Sequence, residues 1–184
     1  MNQQLLGGLC IIGGVAYLIN GLRFFVAGEP VQDLLVAILS SIWALGGICG
    51  IVGMQAARVT GANRAAQLMS YLPVAAFLAT LAGTVQSAVN PLIQFSPLIV
   101  FGLLGLVVGM LLVGVFTVRA NVWTGWKKVV PFLPAVMPFI GMAIGAAIGI
   151  SGGVNVSLVA LSWILLGYCV VISPAWQKAA VQVA

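Results

Sequence analysis

Asn20 and Arg23, and likewise Gln86 and Asn90, stand one helical turn apart inside runs that are otherwise apolar. Side chains three or four apart share a helix face, so each pair would present two polar groups together. At similar depths the four could line a small polar pocket open to the outside, with Gln94 just beyond. The simpler role is interhelical hydrogen bonding, worth about 0.6 kcal/mol per bond in a bilayer. Arg23 is the only charge within an apolar run. Near the end of that run it can reach the interface or pair with Glu29 or Asp33, and an interfacial anchor is a plainer role for it than an anion contact.

Two glycine series suggest helix faces built for close approach. Gly7, Gly14 and Gly21 recur at heptad spacing, and Gly141, Gly145 and Gly149 at four-residue spacing. Small residues at such intervals let helix backbones meet in lipid, so the helices that carry them are expected to be tightly packed or to face a partner. Cys10, Cys49 and Cys169 all fall in apolar runs without a CxxC. They read as small buried hydrophobes, and no disulfide framework or zinc signature is implied.

What the chain lacks excludes more. With no histidine, histidine-ligated haem, copper or zinc and any histidine-assisted nucleophile are ruled out. No carboxylate lies within an apolar run, which argues against proton-coupled transport and aspartyl intramembrane proteolysis. An aquaporin would need two Asn-Pro-Ala boxes, and Asn90-Pro91-Leu92 is a single approach to one. The expectation is therefore no catalysis and no cofactor.

The elements that must position these residues are membrane spans. The 184 residues are 62% hydrophobic and 5% charged, against about 25% charged in soluble domains, so the chain cannot cover a water-facing surface. A spanning helix needs about 20 apolar residues. The sequence predicts an all-α, single transmembrane domain over 1–184, a polytopic bundle of six spans at 5–26, 34–57, 65–89, 97–118, 129–150 and 154–172. Asp33 and Ser96-Pro97 mark helix starts, and Ser173-Pro174 marks an end. The start, Met1-Asn2-Gln3-Gln4, lacks the basic region of a signal peptide. Pro131, Pro134 and Pro138 crowd the start of the fifth span, and the helix proper is expected to begin near Pro134.

Six of the seven basic residues (Arg58, Arg64, Arg119, Lys127, Lys128 and Lys178) fall on one side if the amino terminus is cytoplasmic. Trp123, Trp126 and Trp176 share that boundary. This bias predicts cytoplasmic termini in a bacterial cytoplasmic membrane. It also accounts for the net charge of +5 without nucleic acid. Three diverged hairpins are suggested by matched positions: Trp43, Gly47 and Cys49 with Trp163, Gly167 and Cys169, Gly46, Gly53 and Met54 with Gly102, Gly109 and Met110, and Leu72-Pro73 with Leu133-Pro134.

Two functions fit this pattern. The first is a non-catalytic membrane subunit or scaffold working through helix packing, with the lipid bilayer and a membrane protein or second copy as partners. The second is a small-solute carrier or channel with an uncharged substrate path. In length, span number and placement of termini the chain is similar to the substrate-capture subunits of energy-coupling-factor vitamin transporters, a resemblance of size and topology without shared motif residues.

Overall fold

The computed structural model describes residues 2–27, 33–61, 63–90 and 96–173. The elements are α1 (Gln3–Ala27), α2 (Leu34–Ala56), a short α3 (Arg64–Met69), α4 (Tyr71–Val89), α5 (Pro97–Ala120), a 3₁₀ segment (Gly125–Phe132), α6 (Leu133–Ile148) and α7 (Ser151–Val171). No strand occurs among the described residues. Among the described residues six stretches are long and apolar enough to cross a membrane, with α3 and α4 forming one and the 3₁₀ segment and α6 another. The predicted order of six spans is what the chain adopts.

Local chemistry sets the ends. The Asp33 carboxylate accepts the Val36 amide at 2.8 Å and caps α2. Ser96 Oγ accepts the Leu98 amide at 3.3 Å, with Pro97 in the first turn of α5. Proline explains two irregularities. Pro73 has no N–H for the Met69 carbonyl, and the third span, expected as one helix over 65–89, breaks one residue on, at Ser70. Pro131 and Pro134 deprive the carbonyls of Lys127 and Val130 in the same way, so this stretch winds as 3₁₀ and α6 begins at Leu133, as expected. Ser173 follows the end of α7, while Pro174, Trp176 and Lys178 lie outside the described residues.

Packing runs around a closed circuit in which α1 contacts α2 and α7, α2 contacts α4, α4 contacts α5, and α6 joins α5 to α7. Glycines set the closest approaches. A Cβ at Gly14 would lie 3.0 Å from the Ile164 amide nitrogen and 3.1 Å from the Ala160 carbonyl, and one at Gly7 would lie 2.8 Å from the Gly167 carbonyl. Gly21 meets Ser157. The heptad glycines of α1 are thus the seat of α7, inside the bundle. On its other side Gly13 faces Gly46 of α2, where a Cβ would meet the opposing Cα at 2.9 Å.

The centre is an aromatic layer. Tyr17 stacks on Trp43 at 4.2 Å, and Trp43 and Trp163 each meet Phe77 edge-on, at 5.1 and 5.0 Å. Such pairs contribute about 0.5–1.5 kcal/mol each beyond burial. Of the matched positions in the second and sixth spans, the tryptophans occupy equivalent places, since α2 and α7 flank α1 and offer Trp43 and Trp163 to one phenylalanine, whereas Gly47 meets Phe77 and Gly167 meets α1.

Adding a methyl where two backbones touch should be far more damaging than adding one at an open glycine. Gly46→Ala places a Cβ 2.7 Å from Gly13 Cα and 2.8 Å from the Leu9 carbonyl, whereas Gly8 has nothing within 4 Å. We expect Gly46→Ala to lower stability by about 1–3 kcal/mol and Gly8→Ala to leave it unchanged or raise it, read as thermal midpoints in mild detergent.

Candidate functional site

Asn20 lies in the seam between α1 and α2, completely buried. Its side-chain amide donates to the Val36 carbonyl at 3.3 Å and to Ser40 Oγ at 3.2 Å, while Oδ1 is buried with no partner among the described residues. Ser40 belongs to the same level of α2 and was not foreseen. On the other flank of this turn, Ser157 of α7 sits against Gly21, and its Oγ is likewise buried without a partner. Asn20 and Gly21 are consecutive, so the two orphaned oxygens border one turn of α1. A turn earlier, half-buried Tyr17 stacks on Trp43, whose indole nitrogen is also unpartnered. Asn155, on the opposite face of α7, packs against Gly141 with its Oδ1 unsatisfied.

Arg23, one turn beyond Asn20, pairs with the acid that caps α2. Its guanidinium forks onto Asp33, with Nη2 donating to Oδ2 at 2.6 Å and Nη1 to Oδ1 at 3.3 Å. Both side chains are about one-third exposed, at 32% and 38%. The Arg23 guanidinium, with help from the Val36 amide, holds the Asp33 carboxyl down to about 2. Glu29, the other partner considered for Arg23, lies outside the described residues, as does Gln94. A shallow recess beside Arg23 is lined by Ile19, Leu22, Val26 and Ala27, all from α1 itself, so it is a dent in one helix face.

Gln86 works elsewhere. Its Oε1 accepts from Ser96 Oγ at 2.7 Å, and Ser87 Oγ accepts the Ser96 amide at 3.3 Å. These bonds tie the end of α4 to the start of α5. Asn90 closes α4, its amide donating to the Gln86 carbonyl at 3.0 Å. The four residues grouped by depth are therefore held in two seams, Asn20 and Arg23 against α2 and Gln86 against α5.

Of the second glycine series, Gly141 and Gly145 are buried, and Gly141 lies against Asn155 of α7. Gly149 has a different job. It ends α6 in the left-handed conformation (φ 77°), donating to the Gly145 carbonyl, and nothing lies within 4 Å of where its Cβ would be. Cys10 and Cys169 are buried, and the Cys10 thiol points its weak donor at the Trp163 carbonyl at 3.4 Å.

Compared with models of known families, with curated proteins and with solved structures, the chain matches none.

The Arg23–Asp33 pair makes stability depend on acid. Because the folded-state value is depressed from 3.8 to about 2, the stabilisation is complete above about pH 4 and fades as pH falls through about 2. The difference in thermal midpoint between the native protein and Asp33→Asn should be constant from about pH 5 to 7 and vanish towards about pH 2.

Proposed function

We propose that this multi-pass membrane protein is non-catalytic and binds a small, uncharged, hydrogen-bonding solute at the α1 turn bearing Asn20 and Gly21, carrying it across the bilayer. The observation behind this reading is the pair of buried, unpartnered oxygens, Asn20 Oδ1 and Ser157 Oγ, on the two sides of that turn. A buried polar group left unsatisfied costs about 1–3 kcal/mol, and a solute that donates to these acceptors relieves that cost on binding. The Tyr17–Trp43 stack one turn deeper supplies an apolar, aromatic floor. A neutral solute fits best, since among the described residues the ionic groups nearby, Arg23 and Asp33, neutralise each other, and an ion buried without a counter-charge is strongly disfavoured. The glycines of α1 that favoured a scaffold are occupied by α7.

A second reading rests on α6. Over its last eleven residues only Gly141 and Gly145 are buried, and Phe139, Ile140, Met142, Ile144 and Ile148 face outward. A partner helix laid along that face would make the protein a subunit of a larger assembly. In both readings the arginine- and lysine-bearing end faces the cytoplasm, in a bacterial cytoplasmic membrane, in line with the excess of basic residues there.

The test is uptake into proteoliposomes of a panel of neutral polar solutes, such as polyols and small amides. We expect at least one to be carried, with Asn20→Leu lowering its uptake about tenfold and Ser40→Ala, a milder change, lowering it less. Thermal midpoints of both variants should stay close to native. No uptake by the native protein across the panel, or full uptake by Asn20→Leu, overturns the carrier reading. Co-purification of a stoichiometric membrane protein in mild detergent would favour the subunit reading instead.

A further inference from the structure

Among the described residues, the end of the bundle opposite the Arg23–Asp33 pair collects cations without anions. Arg58 ends the α2 turn, Arg64 opens α3 and Arg119 lies in the last turn of α5, all three exposed. The α2–α3 turn packs on the end of α5, where a Cβ at Gly61 would lie 3.2 Å from Ala120 Cβ, so the turn that carries Arg58 and Arg64 adjoins the helix end that carries Arg119. Lys127 and Lys128, half-buried, follow in the 3₁₀ segment. The chain has only two acidic residues. Asp33 is committed to Arg23 at the other end, and Glu29 falls in sequence between α1 and α2.

The backbone at Arg58 adds an independent observation. Val59 donates to the Met54 carbonyl at 3.0 Å and Arg58 to the Gln55 carbonyl at 2.9 Å, which is the double-bonded helix stop that favours glycine at its left-handed residue. Here that residue is Arg58, at φ 50°. A strained turn therefore carries an exposed arginine with no acidic side chain at its end of the bundle among the described residues.

The surroundings point to lipid. Arg119 stands above a strip of exposed apolar side chains on α5, Val108, Leu111, Val115 and Val118, and Trp126, beside the lysines, is 52% exposed, as an interfacial tryptophan would be. We propose that Arg58, Arg64 and Arg119 seat the phosphate of an anionic phospholipid from the surrounding leaflet, with its acyl chain along α5.

The protein can be tested in nanodiscs containing phosphatidylglycerol and phosphatidylcholine of matched chains, with retained lipid counted by native mass spectrometry. Near an anionic surface each cation is worth about fivefold. Phosphatidylglycerol should therefore be retained about a hundredfold over phosphatidylcholine, and the Arg58→Gln/Arg64→Gln/Arg119→Gln variant should lose that selectivity while keeping its thermal midpoint in zwitterionic detergent. Arg58→Gly separates binding from folding: it relieves the turn, so the midpoint should rise while anionic retention falls about fivefold. Equal retention of the two lipids by the native protein overturns the proposal, as does selectivity that survives the triple variant. Displacement of the lipid by millimolar glycerol phosphate would overturn it in favour of a soluble anion.

Discussion

Apolar side chains gain nothing by leaving lipid for one another, so helices in a bilayer associate through close van der Waals contact and a few hydrogen bonds. In this protein that contact is concentrated on α1. One face of α1 meets α2 backbone to backbone at Gly13 and Gly46, and another receives α7 along Gly7, Gly14 and Gly21. With both flanking helices drawn in this far, Trp43 and Trp163 can both reach Phe77. Without that approach the aromatic layer would have no floor plan.

The same closeness governs the polar groups. A close seam limits which protein partners its few polar atoms can reach. Asn20 finds a carbonyl and a hydroxyl on α2 for its amide but nothing for its oxygen, and Ser157 is pressed against Gly21 with its hydroxyl unanswered. Charge is handled by separation. Arg23 and Asp33 close on each other at one end, and the described cations that remain gather at the other.

Much of this arrangement was legible in the sequence where the signal is local. Run length located six spans, Asp33 and Ser96-Pro97 gave two helix starts through caps that can be recognised from residue type, and the prolines near 131–138 announced where α6 begins. Neighbour relations were not legible. Spacing shows that Gly7, Gly14 and Gly21 share a face, but whether that face meets lipid, a partner or another span depends on which helix lies beside it, and in a ring of similar apolar helices no residue type encodes that. Similar depth likewise suggested that Asn20 and Gln86 were neighbours, yet depth gives one coordinate of three. Gly149 fitted the periodicity of a packing face and turned out to be a helix stop, since glycine serves both ends. Ser40 and Ser157 escaped notice because an isolated serine in an apolar run carries no pattern.

The seat on α1 for α7 also has a temporal side. Contacts between α1 and α2 join neighbours in the chain and can form as soon as the first hairpin is inserted. The heptad glycine face of α1 cannot be covered until α7 is made, since α7 lies more than a hundred residues downstream. Until then α1 must wait in the bilayer with a backbone-exposing groove open to lipid or to any passing helix. Arrival of α7 both completes the circuit and removes that groove, so α7 acts as the keystone of assembly, and a chain stopped before it would leave the membrane holding an unfinished and sticky arch.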